Sequence, residues 1–260
     1  MKIQAVIFDW AGTTIDYGCF SPLGAFVKSF DEEGILLSIQ EARKPMGLLK
    51  IDHIRALLKM PEILGQFLNI YGYQPKEEDI LRIYERFEKN IFEVLSDHVI
   101  LNPYVFETTK ELEKMGIKIG STTGYTKSMM EIVLPLAKDQ GYVPECCVAS
   151  DELGYGRPYP YMMYECARRL NVYPQNSMIK VGDTSVDIEE GKNAGCVSVG
   201  IVYGGSVLGL SVDEVARYPQ KDLQFLVNQA KIELYDAGAD YVIDDMRDLL
   251  PIIEKIQQKA

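Results

Sequence analysis

The sequence predicts an α/β protein, a doubly wound parallel sheet with a long all-helical insertion after its first strand. Three observations carry that reading. From residue 105 onward, short apolar stretches alternate with stretches of helical period, the pattern of a parallel sheet covered by helices on both faces. Between residues 22 and 98 nothing reads as strand. Ahead of that region, residues 4–10 form a compact apolar run broken by an acid, which reads as one buried strand.

In chain order, the insertion reads as helices at 22–33, 38–43, 49–60, 61–71 and 76–95. In the last of these, Ile80, Tyr84, Phe87, Ile91 and Val94 recur at spacings of four and three, one face of a helix. Glu77, Glu78 and Asp79 occupy its first turn, where the helix dipole favours acids. Beyond Asn102-Pro103 the reading is helix 105–115, with Gly116 as its stop, then strand 117–123 and helix 127–139. Strand 146–150, helix 161–170, strand 178–183 and helix 185–194 follow. Strand 197–202, helix 222–237, strand 241–243 and helix 246–258 complete the chain. The expected organisation is a Rossmann-like core of residues 1–18 and 99–260, with residues 19–98 as a separate helical domain.

Composition narrows the class. The 260 residues are 47% hydrophobic and 25% charged, which fits an ordinary globular protein and excludes collagen, coiled coil and disorder. No apolar run approaches the roughly 18–20 residues of a membrane span. The N-terminal apolar run is too short for a signal peptide, so a cytoplasmic protein is expected. Lys and Arg number 27 against 38 Asp and Glu, a net charge of −11 with no basic cluster, which disfavours nucleic acid. The five cysteines match no zinc spacing and read as reduced, mostly buried thiols, with Cys146 and Cys147 on opposite faces of a strand.

In an open parallel sheet, ligands bind beyond the carboxyl ends of the strands. Those ends carry Asp9-Trp10-Ala11-Gly12-Thr13-Thr14, Ser121-Thr122-Thr123-Gly124 and Gly182-Asp183-Thr184-Ser185-Val186-Asp187, with the loop Gly154-Tyr155-Gly156-Arg157-Pro158 between them. Taken singly, each is unremarkable: a helix cap, a polar strand end, a surface ion pair. Together they suit phosphoryl chemistry. Asp9 and Asp183 are oxygen ligands suited to Mg²⁺. Thr123 and Arg157 suit the oxygens of a phosphate-like group, and Asp9, ionised at neutral pH, suits a nucleophile.

The set resembles the haloacid dehalogenase superfamily, whose phosphotransferases pass through an aspartyl phosphate. Asp9 to Thr13 corresponds to the first motif, Thr123 to the second, Arg157 to the third, and Gly182-Asp183 with Asp187 to the acidic fourth. The resemblance covers essentially the whole chain and implies that the helical insertion is a mobile cap. One departure stands out. The first motif of the superfamily's phosphatases carries a second carboxylate, an acid for the leaving alkoxide, where this chain has Ala11.

A leaving carbon needs an electron sink rather than an acid, and a protonated lysine imine is a good one. Met46, Lys50 and His53 are spaced four and three apart and share a helix face, beside an apolar stripe of Ile51, Ile54 and Leu58. Leu57 interrupts the polar face. Taken alone, Lys50 reads as a solvated lysine and His53 as a half-buried side chain. Ala11 and Lys50 together resemble the branch of the superfamily that cleaves carbon–phosphorus bonds, as do the runs Ala42-Arg43-Lys44-Pro45-Met46-Gly47-Leu48-Leu49-Lys50-Ile51-Asp52-His53, Gly120-Ser121-Thr122-Thr123-Gly124-Tyr125 and Gly156-Arg157-Pro158-Tyr159-Pro160.

That resemblance implies hydrolysis of phosphonoacetaldehyde to acetaldehyde and phosphate in phosphonate catabolism. It implies Asp9 as nucleophile, Lys50 as the imine lysine and His53 as a proton shuttle. Mg²⁺ would lie between Asp9, the Ala11 carbonyl and Asp183, with Asp187 in its outer shell. Thr123 and Arg157 would bind the phosphonate, and Cys19, Met46 and Tyr125 would line the pocket. A homodimer, through cap helices, is also implied. A sugar-phosphate phosphatase or phosphoglucomutase of the same superfamily is the alternative, and a non-catalytic phosphate-binding protein a third.

Overall fold

A computed structural model describes residues 2–258. Six parallel strands form one sheet: β1 (Ala5–Phe8), β2 (Lys118–Thr123), β3 (Cys146–Ala149), β4 (Met178–Gly182), β5 (Val197–Ile201) and β6 (Tyr241–Ile243). Their spatial order is β3-β2-β1-β4-β5-β6. The chain winds one way from β1 to β3 and the other way from β4 to β6. The point where strand order reverses therefore lies between β1 and β4, the two strands followed by Asp9 and Asp183. Phe8 pairs in register with Ser121 on one side and Val181 on the other, so the three strands end within two residues of one another.

β1 is buried on both faces, as its unbroken apolar run demands. Val6 and Phe8 join the larger apolar cluster, while Ala5 and Ile7 join the one containing Met162, Met163 and Cys166. Cys146 and Cys147 divide between the same two faces, as expected. All five cysteines are free, and four are buried.

Between β1 and β2 lie α1 (Phe20–Asp31), α2 (Ile39–Arg43), α3 (Lys50–Leu58), α4 (Pro61–Tyr71), α5 (Glu77–Val94) and α6 (Val105–Lys114). The sheet is then completed with α7 (Lys127–Asp139), α8 (Tyr161–Leu170), α9 (Ser185–Asn193), α10 (Val212–Arg217), α11 (Gln220–Asp236) and α12 (Leu249–Gln258). Among the described residues, 20–98 contain no strand. α5 buries Ile80, Ile83, Phe87 and Ile91 against α1, where Phe87 stacks on Phe26 with ring centres 4.2 Å apart. Buried Glu33, just past α1, pairs with Arg82 at 2.9 Å and Arg86 at 3.0 Å on α5, so the helices are also tied by charge.

Predicted and observed elements agree to within two residues at most ends, with two differences. α10 has no counterpart in the sequence reading, because none of its six residues is buried and so no apolar period marks it. Its start is nonetheless coded by the capping box of Ser211 and Glu214. Helix 246–258 is instead a 3₁₀ turn (Met246–Asp248) followed by α12, which places Pro251 in the first turn, where no N–H bond is lost. No helix among the described residues is long and apolar enough to cross a membrane.

Because Phe87 is fully buried and stacked between helices, Phe87→Ala should destabilise the insertion by about 3–5 kcal/mol, read as a lower urea midpoint of its unfolding transition. A loss below about 1 kcal/mol would show that the α1–α5 seam collapses around the gap.

Candidate active site

Asp9 follows β1, and its backbone N–H donates to Val181 O at 2.9 Å, which locks the end of β1 to β4. Gly12 turns the chain with φ +90°, and a Cβ there would collide with the Asp183 carboxylate. The turn brings Thr13 Oγ1 to Asp183 Oδ1 at 3.0 Å, while Thr14 Oγ1 donates to Asp9 O at 3.0 Å. Ser206, after β5, donates to Asp183 Oδ2 through its N–H at 2.7 Å and its hydroxyl at 2.6 Å. One oxygen from each of Asp9, Asp183 and Asp187 falls within a 4.8 Å cluster, and all three residues are buried.

Burial is the main force on these carboxyls. It raises the pKa of Asp9, with Arg157 opposing and Asp187 adding to the rise. Asp183 is pushed up to about 7, first by burial and then by the charges of Asp9 and Asp187. Asp187 differs. Burial raises it, but Arg157 and Lys180 outweigh that and hold it below the usual range. Its Oδ2 accepts the Thr184 hydroxyl at 2.5 Å in the capping box of α9. Asp9 and Asp183 are thus hard oxygen donors short of positive charge, the donor set that fits a divalent cation. Asp187 is already neutralised by protein cations.

Arg157 is buried, and each edge of its guanidinium meets a carboxylate. Nη2 lies 2.6 Å from Asp9 Oδ1, Nη1 3.0 Å from Asp187 Oδ1, and Nε 3.0 Å from Glu190 Oε2. Burial alone would lower its pKa, but Asp187, Asp9 and Glu190 together raise it, so it stays cationic.

The insertion closes over this edge. Lys50, at the start of α3, is 5% exposed rather than solvated. Its Nζ sits 5.3 Å from the centre of the Tyr125 ring and 5.9 Å from that of Phe26. Burial lowers its pKa, against the opposing pull of Cys19 and Asp9. Tyr125 OH and Ser21 Oγ of α1 are 2.8 Å apart, a hydrogen bond joining insertion to core. Cys19 holds a left-handed backbone, φ 57°, stabilised by Asp16, whose carboxylate accepts the N–H groups of Phe20 and Ser21 at 3.0 Å each. Leu49 fills the space over Gly156, where a Cβ would stand 2.6 Å from Leu49 Cγ.

Asp9, Ala11, Cys19, Met46, Lys50, Thr123, Tyr125, Arg157 and Asp183 all line one enclosed space of about 20 Å³. Asp187 and His53 do not line it. His53 is fully buried, stacked on Phe26 at 3.9 Å, with Nε2 2.8 Å from Ala42 O. A carbonyl partner makes Nε2 the protonated nitrogen, so Nδ1 carries a lone pair with no protein partner. Burial first, and then the Lys50 charge, hold its pKa well below the usual value. A space of 20 Å³ holds little more than one water.

The sequence reading missed Thr13, Ser206, Thr122, Lys180 and Glu190. Ser206 had a signal, since Gly204-Gly205-Ser206 stands just beyond the carboxyl end of β5. Glu190 had none, because it lies inside a helix, where charged residues ordinarily face solvent, while the signal at Lys180 was a lysine interrupting the apolar run of a strand expected to be covered on both faces.

The haloacid dehalogenase-like hydrolase family matches residues 3–195. Among curated relatives, the chain is 48% identical to phosphonoacetaldehyde hydrolase of Bacillus cytotoxicus and 48% identical to that of Bacillus cereus strain G9842. Each comparison covers 100% of this chain and 98% of the relative. Among solved structures, the phosphonoacetaldehyde hydrolase-like protein of Oleispira antarctica superposes with a TM-score of 0.97 at 38% identity, covering 100% of this chain and 94% of that one.

The buried setting of Lys50 has a measurable consequence. Desolvation favours the neutral amine, so the folded-state pKa lies below 10.5 and half-deprotonation comes at lower pH than for an ordinary lysine. Reductive alkylation with acetaldehyde and cyanoborohydride, mapped by mass spectrometry, should give a lower pH midpoint at Lys50 than for lysine in a short unstructured peptide. Equal midpoints would contradict the desolvated setting.

Proposed function

The chain belongs to the haloacid dehalogenase-like hydrolase family, and from that membership we propose that it hydrolyses phosphonoacetaldehyde to acetaldehyde and phosphate, acting through Asp9 and Lys50. One observation carries the reading: a buried lysine with a depressed pKa shares an enclosed space with Asp9, while the neighbouring motif position is Ala11. The near-half identity to phosphonoacetaldehyde hydrolases over the whole chain supports it.

Lys50 condenses with the aldehyde, losing water and forming an imine. An unperturbed lysine, with pKa ~10.4, would be neutral in only about one molecule in a few thousand at pH 7, which is why its desolvation matters. His53, three residues along α3, shuttles protons through water, its unprotonated Nδ1 accepting a proton and then returning it. Asp9 attacks phosphorus, and the carbon–phosphorus electron pair passes into the protonated imine, so the carbon leaves as an enamine. Protonation of the enamine and addition of water return Lys50 and release acetaldehyde, while water releases phosphate from Asp9. Arg157 and Thr123 hold phosphonate oxygens, and Cys19, Met46 and Tyr125 line the pocket. Asp9, the Ala11 carbonyl and Asp183 would hold Mg²⁺, with Asp187 outside. When bound, the cation offsets the repulsion between Asp9 and the dianionic substrate. Residues 19–98 act as a cap that seals this chemistry from solvent.

Borohydride added with phosphonoacetaldehyde and Mg²⁺ should leave a reduced two-carbon adduct on Lys50, mapped by peptide mass spectrometry, alongside phosphate release. Turnover of ordinary phosphate esters without an adduct would instead identify a phosphatase. Lys50→Arg stays protonated and should lose carbon–phosphorus cleavage by at least about 10³-fold; appreciable residual turnover would sink the imine step.

Asp9→Asn should abolish transfer of phosphorus to the protein while leaving the Lys50 adduct trappable. Labelled phosphate on that variant would contradict the nucleophile assignment.

A further inference from the structure

Lys180 lies within β4, a strand buried between two neighbours, and its side chain has no exposure to solvent. A buried ammonium contributes little to stability even when paired, since an apolar residue of like volume often serves as well. Its ammonium is nonetheless surrounded by partners: it donates to Thr122 Oγ1 at 2.7 Å and forms ion pairs with Asp187 Oδ1 at 3.0 Å and Glu190 Oε2 at 3.1 Å. Glu190, on α9, is equally buried, and the same Oε2 accepts Arg157 Nε at 3.0 Å and the Thr122 hydroxyl at 3.0 Å. Lys180 thus clamps together the two carboxylates that grip two edges of the Arg157 guanidinium, leaving the third edge for Asp9.

Neither Lys180 nor Glu190 lines the enclosed space, so any effect on chemistry passes through Arg157. With Arg157 and Asp187 they form a set of two cations and two anions, which turns a flexible side chain into a fixed donor without adding net charge beside Asp9. Lys50 belongs to the insertion and makes no hydrogen bond or ion pair with this set; only the Arg157 charge reaches it, adding to the lowering of its pKa.

We propose that Lys180 and Glu190 are positioning residues that orient Arg157 for the phosphorus half of the reaction and leave the lysine half untouched. The proposal rests on the functional reading above. Displacing a positioned group by about 1 Å costs on the order of 10²-fold in rate.

The test uses Glu190→Gln, Lys180→Met and the paired variant Lys180→Met/Glu190→Gln, which keeps the set neutral and so remains foldable should a single change prove too disruptive. Two quantities are read on each folded protein with phosphonoacetaldehyde and Mg²⁺: borohydride trapping at Lys50 and single-turnover phosphate release. Trapping within about threefold of the unsubstituted protein, with release about 100-fold slower, is the expected split. Trapping and release falling together would make the pair merely structural and overturn the proposal, as would release at the unsubstituted rate. Failure of the unsubstituted protein to trap or release would instead overturn the functional reading, and this proposal with it.

Discussion

Burial of like charge beyond the ends of β1 and β4 is the constraint that organises this molecule. Asp9, Asp183, Asp187 and Glu190 are all buried in one region, where repulsion between carboxylates is poorly screened. The protein answers with two buried cations, Arg157 and Lys180: both pair with Asp187 and Glu190, Arg157 alone pairs with Asp9, and neither pairs with Asp183. Asp9 and Asp183 are left with a deficit, visible in the pKa of about 7 at Asp183. The deficit is local and faces the enclosed space, a setting that fits a divalent cation. Thr13 and Ser206, which orient both oxygens of Asp183, keep that carboxylate from turning away from its neighbours.

The insertion depends on the same edge. Its approach is possible because small residues meet it: Gly156 beneath Leu49, and Gly124 beneath the Leu48 carbonyl. Arg43 adds polar anchors, donating to the carbonyls of Gly18, Ser206 and Gly209, so the loop that orients Asp183 is also the loop that the insertion grips. Lys50 lies at the first turn of α3, directly after this contact. Its desolvation is therefore a property of the docked insertion rather than of α3 alone, since the Tyr125 ring belongs to the core and the Phe26 ring to the insertion.

Much of this was legible from sequence because it was written in periodicity and in strand ends. The alternation after residue 105 specifies the parallel sheet, and the acids and hydroxyls at strand ends specify the cluster around Asp9. The doubly wound sheet was expected, but the position of the reversal after β3 was not legible, since no local pattern marks which strand starts the second half. The burial of Lys50 was not legible either, because lysine ordinarily faces water and only docking of the insertion withdraws it. Glu190 sat at a position where a helix tolerates exposed charge. The place of His53, stacked on Phe26 with Nε2 bound to Ala42, depends on contacts between α1, α2 and α3 that spacing along α3 does not encode.

Ala11 gains meaning from these surroundings. It lines the same enclosed space as Lys50 and Asp9. A carboxylate at position 11 would add another anion to a region already short of positive charge. It would also share that space with Lys50, and an anion there favours the ammonium form, against the effect of burial. An acid for an oxygen leaving group and a neutral amine for imine formation thus make opposing electrostatic demands on one small space. On the proposed reading, replacing the acid with alanine resolves the conflict in favour of the amine. On that same reading the electron sink comes from the insertion and the nucleophile from the core, so breaking the carbon–phosphorus bond depends on the seated insertion.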